Sequence, residues 1–133
     1  MEQIQIGENV LAEYNSGTYV GKAIEDRGNF ILVEVLAVIE HPTQGDLHKP
    51  GQVDGAVFHE RKALSFKEKM NVRKRKIKPY TKEVPDYIPS LKDAFDSMKE
   101  TLTRENSPYN NLALEKLAQL EVHFYNSIWE QKE

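Results

Sequence analysis

The apolar residues of this chain change their spacing once. Between Gly7 and His41 they recur at period two, interrupted by Asn15-Ser16-Gly17 and Asp26-Arg27-Gly28-Asn29, whereas beyond Pro89 they recur every three or four residues. The first spacing puts alternate residues on one face of a strand, and the second puts them on one side of a helix. A run of strands followed by a run of helices constrains the chain to α+β.

Three strands are predicted before His41. Val10, Ala12 and Tyr14 share one face of the first. Val20 and Ile24 oppose Tyr19, Gly21 and Ala23 on the second. The third, Phe30 to Ile39, is apolar on both faces except at Glu34. A ten-residue strand of that kind belongs in the middle of a sheet that curls into a small barrel. Residues 40–55, with Pro42, Gly45, Pro50, Gly51 and Gly55, form one long loop, a length that often carries function. Val57 to Phe66, with Phe58, Leu64 and Phe66 on one face, predicts a fourth strand, and Lys76 to Lys78 a short fifth. The expected organisation is a five-stranded antiparallel barrel over 1–80, a proline-containing linker over 81–88, and a helical hairpin over 89–133.

The first helix is expected to start at Pro89 or Ser90 and to align Leu91, Ala94, Phe95, Met98 and Leu102. Ser107-Pro108 supplies a capping hydroxyl and a first-turn proline for the second. That second helix, Tyr109 to about Gln131, carries two adjoining apolar stripes. One is Ala113, Leu117, Leu120, Phe124 and Ile128, and the other is Leu114, Ala118, Tyr125 and Trp129. Together they exceed the single face that packing on one neighbour requires, so a second partner is expected: the barrel, another copy through these C-terminal helices, or another protein.

Cysteine is absent, which excludes disulfides, thiolate zinc sites and lipid attached to a thiol. The amino-terminal residues lack a basic start and an apolar core, and no run approaches the length of a membrane span. The expected location is the cytoplasm, with any membrane association mediated by a partner rather than by direct insertion. No phosphate loop, nucleophile elbow, dinucleotide fingerprint or helical zinc motif is present, and no enzymatic activity or cofactor is predicted. The nearest approach to a metal motif is His41 and His48 flanking Asp46, with His59 further on. These residues are read instead as hydrogen-bonding the loop to itself.

Charge is unevenly spread. Lys67 to Lys82 holds eight basic residues against Glu68 alone, although the whole chain is at −3. Arg73, Lys74, Arg75, Lys76 and Lys78 form the alternative nucleic-acid-binding set, together with barrel aromatics such as Tyr14, Tyr19 and Phe30. The competing reading is cationic protection of a sheet edge. Nucleic acid is the less favoured partner, because the remaining surface is neutral to acidic. The favoured site is a protein-binding one: His41, Thr43, Gln44, Asp46 and His48 on the loop, with His59 and Arg61 on the neighbouring strand; the equal alternative is that these polar groups only tie the loop to the barrel.

Two resemblances rest on particular residues. Gly7 to Ile24, with its glycine, valine, alanine and aromatic spacing, resembles the opening hairpin of SH3-like and Tudor-like barrels, and identifies the barrel as SH3-like. In Tudor domains aromatic residues cage methylated side chains; for Tyr14 and Tyr19, core packing is the preferred role. More extensively, Glu40-His41-Pro42-Thr43-Gln44-Gly45-Asp46-Leu47-His48, Phe58-His59-Glu60-Arg61-Lys62-Ala63-Leu64, Lys78-Pro79-Tyr80 and Val84-Pro85-Asp86-Tyr87 resemble the kinase-associated protein B family of spore-forming bacteria. That resemblance implies an SH3-like sheet with a helical extension. It further implies a signal-transduction role supporting a membrane sensor histidine kinase that feeds the sporulation phosphorelay. Family members have been labelled lipoproteins, a label from which this cysteine-free sequence departs.

Overall fold

Asn15 and Ser16 both adopt positive φ, 47° and 68°. This mirror-image turn matches the right-handed twist of paired strands and sets Tyr14 opposite Gly17 in the first hairpin. The computed structural model describes residues 4–45 and 60–130. Its five antiparallel strands are β1 (Asn9–Tyr14), β2 (Gly17–Asp26), β3 (Phe30–Glu40), β4 (Lys69–Arg73) and β5 (Ile77–Pro79), in the order β4-β3-β2-β1-β5. Three register shifts between β2 and β3 bend these long strands, and the sheet curls until β1 and β4 approach each other. Along β3, Ile31, Val33 and Val35 are buried while Leu32, Glu34 and Leu36 are half-exposed. Burial therefore alternates through most of the strand, and only the end near Ala37 and Val38 is enclosed on both sides.

The fourth strand lies at Lys69–Arg73, not at 57–66. Residues 60–66 are not a strand, and residues 57–59 lie outside those described. The reason lies in where the backbone of this segment finds its hydrogen bonds, set out below. Within β4, Met70 and Val72 point inward between Lys69, Asn71 and Arg73. A 3-10 turn over Lys74–Lys76 links it to β5.

Helix α1 (Tyr87–Thr103) begins two residues earlier than the proline predicts, because a proline in the first turn gives up no helical hydrogen bond. Helix α2 (Pro108–Leu120) starts as expected: the Ser107 side chain accepts from the Asn110 N–H and Pro108 follows it. It runs on through a π-helical segment, Glu121–Tyr125, into α3 (Asn126–Trp129).

Sheet and helices share one apolar core. Val10, Tyr19, Val33 and Met70 from the sheet join Leu91 and Phe95 from α1, Leu117 and Leu120 from α2, and Tyr125. Helix α1 lies against β3, where the Val38 N–H donates to Ser90 Oγ (3.0 Å) and Ser90 Oγ donates to the Tyr87 carbonyl (2.7 Å). Ser90 thus supplies a strand-like acceptor beyond the stretch of β3 that β4 covers. From the last helix, Leu117, Leu120 and Tyr125 join this core, whereas Leu114 is half-exposed and Ala118 exposed.

The π-helical segment alters which residues of that helix face inward. Ala113, Leu117 and Leu120 are buried, and the next buried position is Tyr125 rather than Phe124. Five residues of α-helix would turn about 500° and carry Tyr125 away from the core side; the wider π turn keeps it there. Phe124, expected in the apolar stripe, is 41% exposed, with the Lys62 ammonium 4.8 Å from its ring centre.

Candidate functional site

The segment 60–64 is held by side chains in place of a neighbouring strand. Gln44, only 2% exposed, donates through Nε2 to the carbonyls of Pro42 and Arg61 and accepts the Arg61 N–H at Oε1 (2.9 Å). The Ala63 N–H donates to Tyr125 Oη (3.0 Å), the Leu64 N–H to Tyr19 Oη (3.3 Å), and the Tyr87 hydroxyl to the Leu64 carbonyl. One amide and three phenols therefore satisfy backbone groups that a strand ladder would otherwise satisfy.

His41 is part of the same network. Its ring is buried, with Nδ1 3.0 Å from the Pro42 carbonyl and Nε2 2.8 Å from Tyr125 Oη. The rings of Phe95 and Tyr125 meet it edge-on, each 5.8 Å away between centres. Burial lowers its pKa from 6.5 to about 4, so it is neutral at physiological pH. Burial also raises the hydroxyls of Tyr19, to about 12, and of Tyr87 and Tyr125, which remain protonated.

Immediately outside this framework, a cleft of about 410 Å³ opens between the 39–44 segment, α1 and the first turn of α2. Ile39, Ala94, Met98 and Leu102 give it an apolar lining, while Thr43, Glu40, Ser97 and Thr101 bring polar groups. Its walls are tied together: the Tyr109 hydroxyl donates to the Gln44 carbonyl (2.8 Å), and the Thr43 N–H donates to Ser16 Oγ (2.9 Å). Ile39 is 39% exposed although it follows directly on the enclosed pair Ala37 and Val38.

The structure therefore divides the residues expected to bind a partner. Thr43 is half-buried and lines the cleft. His41 and Gln44 also contact it, but their polar atoms are committed inside the protein. Arg61 is half-buried and donates through Nε to the Gly45 carbonyl (2.9 Å). Asp46, His48 and His59 lie outside the described residues. The α1 side of the cleft was missed in the sequence, where Ser97 and Thr101 are indistinguishable from solvated helix positions.

The basic set is exposed: Arg73, Lys74, Arg75, Lys76 and Lys78 all face solvent. Of the aromatics that might stack bases, Tyr19 is 1% exposed in the core and Phe30 lies beneath the Arg73 guanidinium (4.9 Å), while Tyr14 is half-exposed. Among the described residues no three metal-ligating side chains gather, and no helix is long and apolar enough to cross a membrane.

Comparison with known proteins adds a family to this geometry. The model for kinase associated protein B matches residues 14–125. The chain belongs to the kinase-associated protein B family. It is 40% identical over 126 residues to the kinase-associated lipoprotein B of Bacillus subtilis (strain 168), an alignment covering 95% of this chain and 98% of the relative. The X-ray crystal structure of kinase-associated protein B from Bacillus cereus superposes with a TM-score of 0.78 at 33% identity, covering 92% of this chain and 98% of the other. The SH3-like sheet with two C-terminal helices is thus the family architecture.

Proposed function

We propose that this member of the family is a non-catalytic adaptor that docks on a kinase through the cleft between the 39–44 segment and α1. The names of the relatives supply the kind of partner, and the cleft supplies the surface. A membrane sensor histidine kinase that feeds the sporulation phosphorelay is the partner we favour, met from the cytoplasmic side.

The observation that carries this reading is the pairing of an open apolar groove with an immobilised wall. Ile39, Met98 and Leu102 offer the central apolar contact of a protein interface, with Thr43, Glu40, Ser97 and Thr101 around them. The groups behind the groove are fully hydrogen-bonded, so little conformational freedom is left to lose on binding.

The test is binding of the purified chain to the cytoplasmic part of a sensor kinase, read by calorimetry beside kinase autophosphorylation. Ile39→Glu and Thr101→Arg, both at exposed positions, should each weaken binding at least about tenfold while the thermal midpoint stays near wild type. Undiminished binding by both variants would remove the cleft from consideration.

A further inference from the structure

Residues 67–82 carry eight basic side chains against one acidic. Subtracting these from the totals of 18 and 21 leaves ten basic against twenty acidic, so a stretch at +7 belongs to a molecule at −10 elsewhere. Such separation is more than edge protection requires. One or two lysines suffice to discourage strand addition, whereas here Lys74, Arg75 and Lys76 follow one another in a 3-10 turn that is not itself an edge strand.

The fold gives this stretch a defined shape. It leaves β4, the terminal strand on one side of the sheet, and enters β5, the terminal strand on the other. Its backbone is anchored at both ends, by the Lys74 N–H donating to the Asn29 carbonyl (3.0 Å) and the Tyr80 N–H donating to the Asn9 carbonyl (3.0 Å). Lys74 pairs with Asp26 at 3.0 Å, and Arg73 covers the Phe30 ring. Arg75, Lys76 and Lys78 have no ion pair among the described residues and are exposed.

We propose that Arg75, Lys76 and Lys78 form a second binding site, which takes a compact segment rich in aspartate and glutamate on a protein partner. The size of the patch selects among anions. A bilayer or a long nucleic acid extends well past it and meets the acidic remainder of the molecule, whereas a short acidic segment can end within the patch. Of the aromatics near it, Tyr19 is enclosed in the core and Phe30 is covered by the Arg73 guanidinium, which leaves fewer faces for the base stacking that single-stranded nucleic acids ordinarily exploit. The site rests on the reading of this chain as a protein-binding module, but it does not use the cleft.

The experiment follows a fluorescein-labelled hexaglutamate peptide by anisotropy with the full chain, in parallel with poly(U) RNA and phosphatidylserine vesicles. The peptide should bind at about 20 mM salt and weaken at least tenfold by about 200 mM, as exposed charges are screened. Arg75→Glu with Lys76→Glu should abolish binding, Lys99→Glu on α1 should leave it unchanged, and Arg75→Gln with Lys76→Gln should weaken it with the thermal midpoint intact. Absence of peptide binding, equal binding by either double variant, or tighter binding of RNA or vesicles through the same residues would overturn the proposal. The Ile39→Glu variant should keep peptide binding, so loss of kinase docking and loss of this site are separable results.

Discussion

The Tyr125 hydroxyl joins His41 to the backbone of Ala63: Oη lies 2.8 Å from His41 Nε2 and accepts the Ala63 N–H at 3.0 Å. The Pro42 carbonyl can only accept, so Nδ1 of His41 carries its proton and Nε2 accepts from the tyrosine. A neutral imidazole gives each of these three hydrogens an acceptor.

Stability should therefore depend on pH through His41. Burial depresses its pKa in the folded chain from 6.5 to about 4, so the unfolded chain binds the extra proton between those values. This contribution is complete above the unfolded pKa and is lost as pH falls from about 6.5 toward 4, amounting to about 3 kcal/mol at the lower end. Urea unfolding across that range should show the slope in wild type and a shallower one in His41→Gln, whatever the absolute stability of the variant.

Tyr125→Phe should cost about 2–3 kcal/mol, because it leaves His41 Nε2 and the Ala63 N–H buried without partners. Phe124→Ala should cost under about 1 kcal/mol, since that ring is already 41% exposed. Equilibrium unfolding of the two variants should reverse the order that uniform helical spacing predicts.

Gly21→Ala should destabilise by roughly 1–3 kcal/mol or more. A methyl group there would collide with Val33 Cγ1 and lie 2.6 Å from the Glu34 carbonyl oxygen, a backbone atom fixed by the β2–β3 pairing. Gly28→Ala meets nothing within 4 Å and incurs only the strain of its φ of 81°, so its thermal midpoint should fall less.

How much of this was legible depended on the range of the interactions involved. The β1–β2 and β2–β3 hairpins were readable because alternation and turn residues lie side by side in the sequence. The fourth strand was not. Phe58, Leu64 and Phe66 alternate like a strand, but the polar backbone atoms of Arg61, Ala63 and Leu64 are met by Gln44, Tyr125, Tyr19 and Tyr87, from 17 to 62 positions away. The true strand is masked in the sequence because Lys69 and Arg73 make it part of a basic run, although Met70 and Val72 alternate between them. For His41 and Gln44 the sequence alone leaves recognition of a partner and tying of the loop to the barrel equally open, because both uses call for polar side chains on a loop. Only the docked helices reveal that both face inward, leaving Thr43 at the cleft.

The π-helical segment divides the last helix into two reading frames. Up to Leu120 the inward positions follow one count, and from Tyr125 onward they follow the same count displaced by one residue. At this place, therefore, chain length and side-chain identity are exchangeable in an unusual sense. Removing one residue between Val122 and Phe124 would let an ordinary α-helical turn carry the tyrosine to His41, whereas removing one residue anywhere from Ala113 to Leu117 would rotate every later contact off its partner.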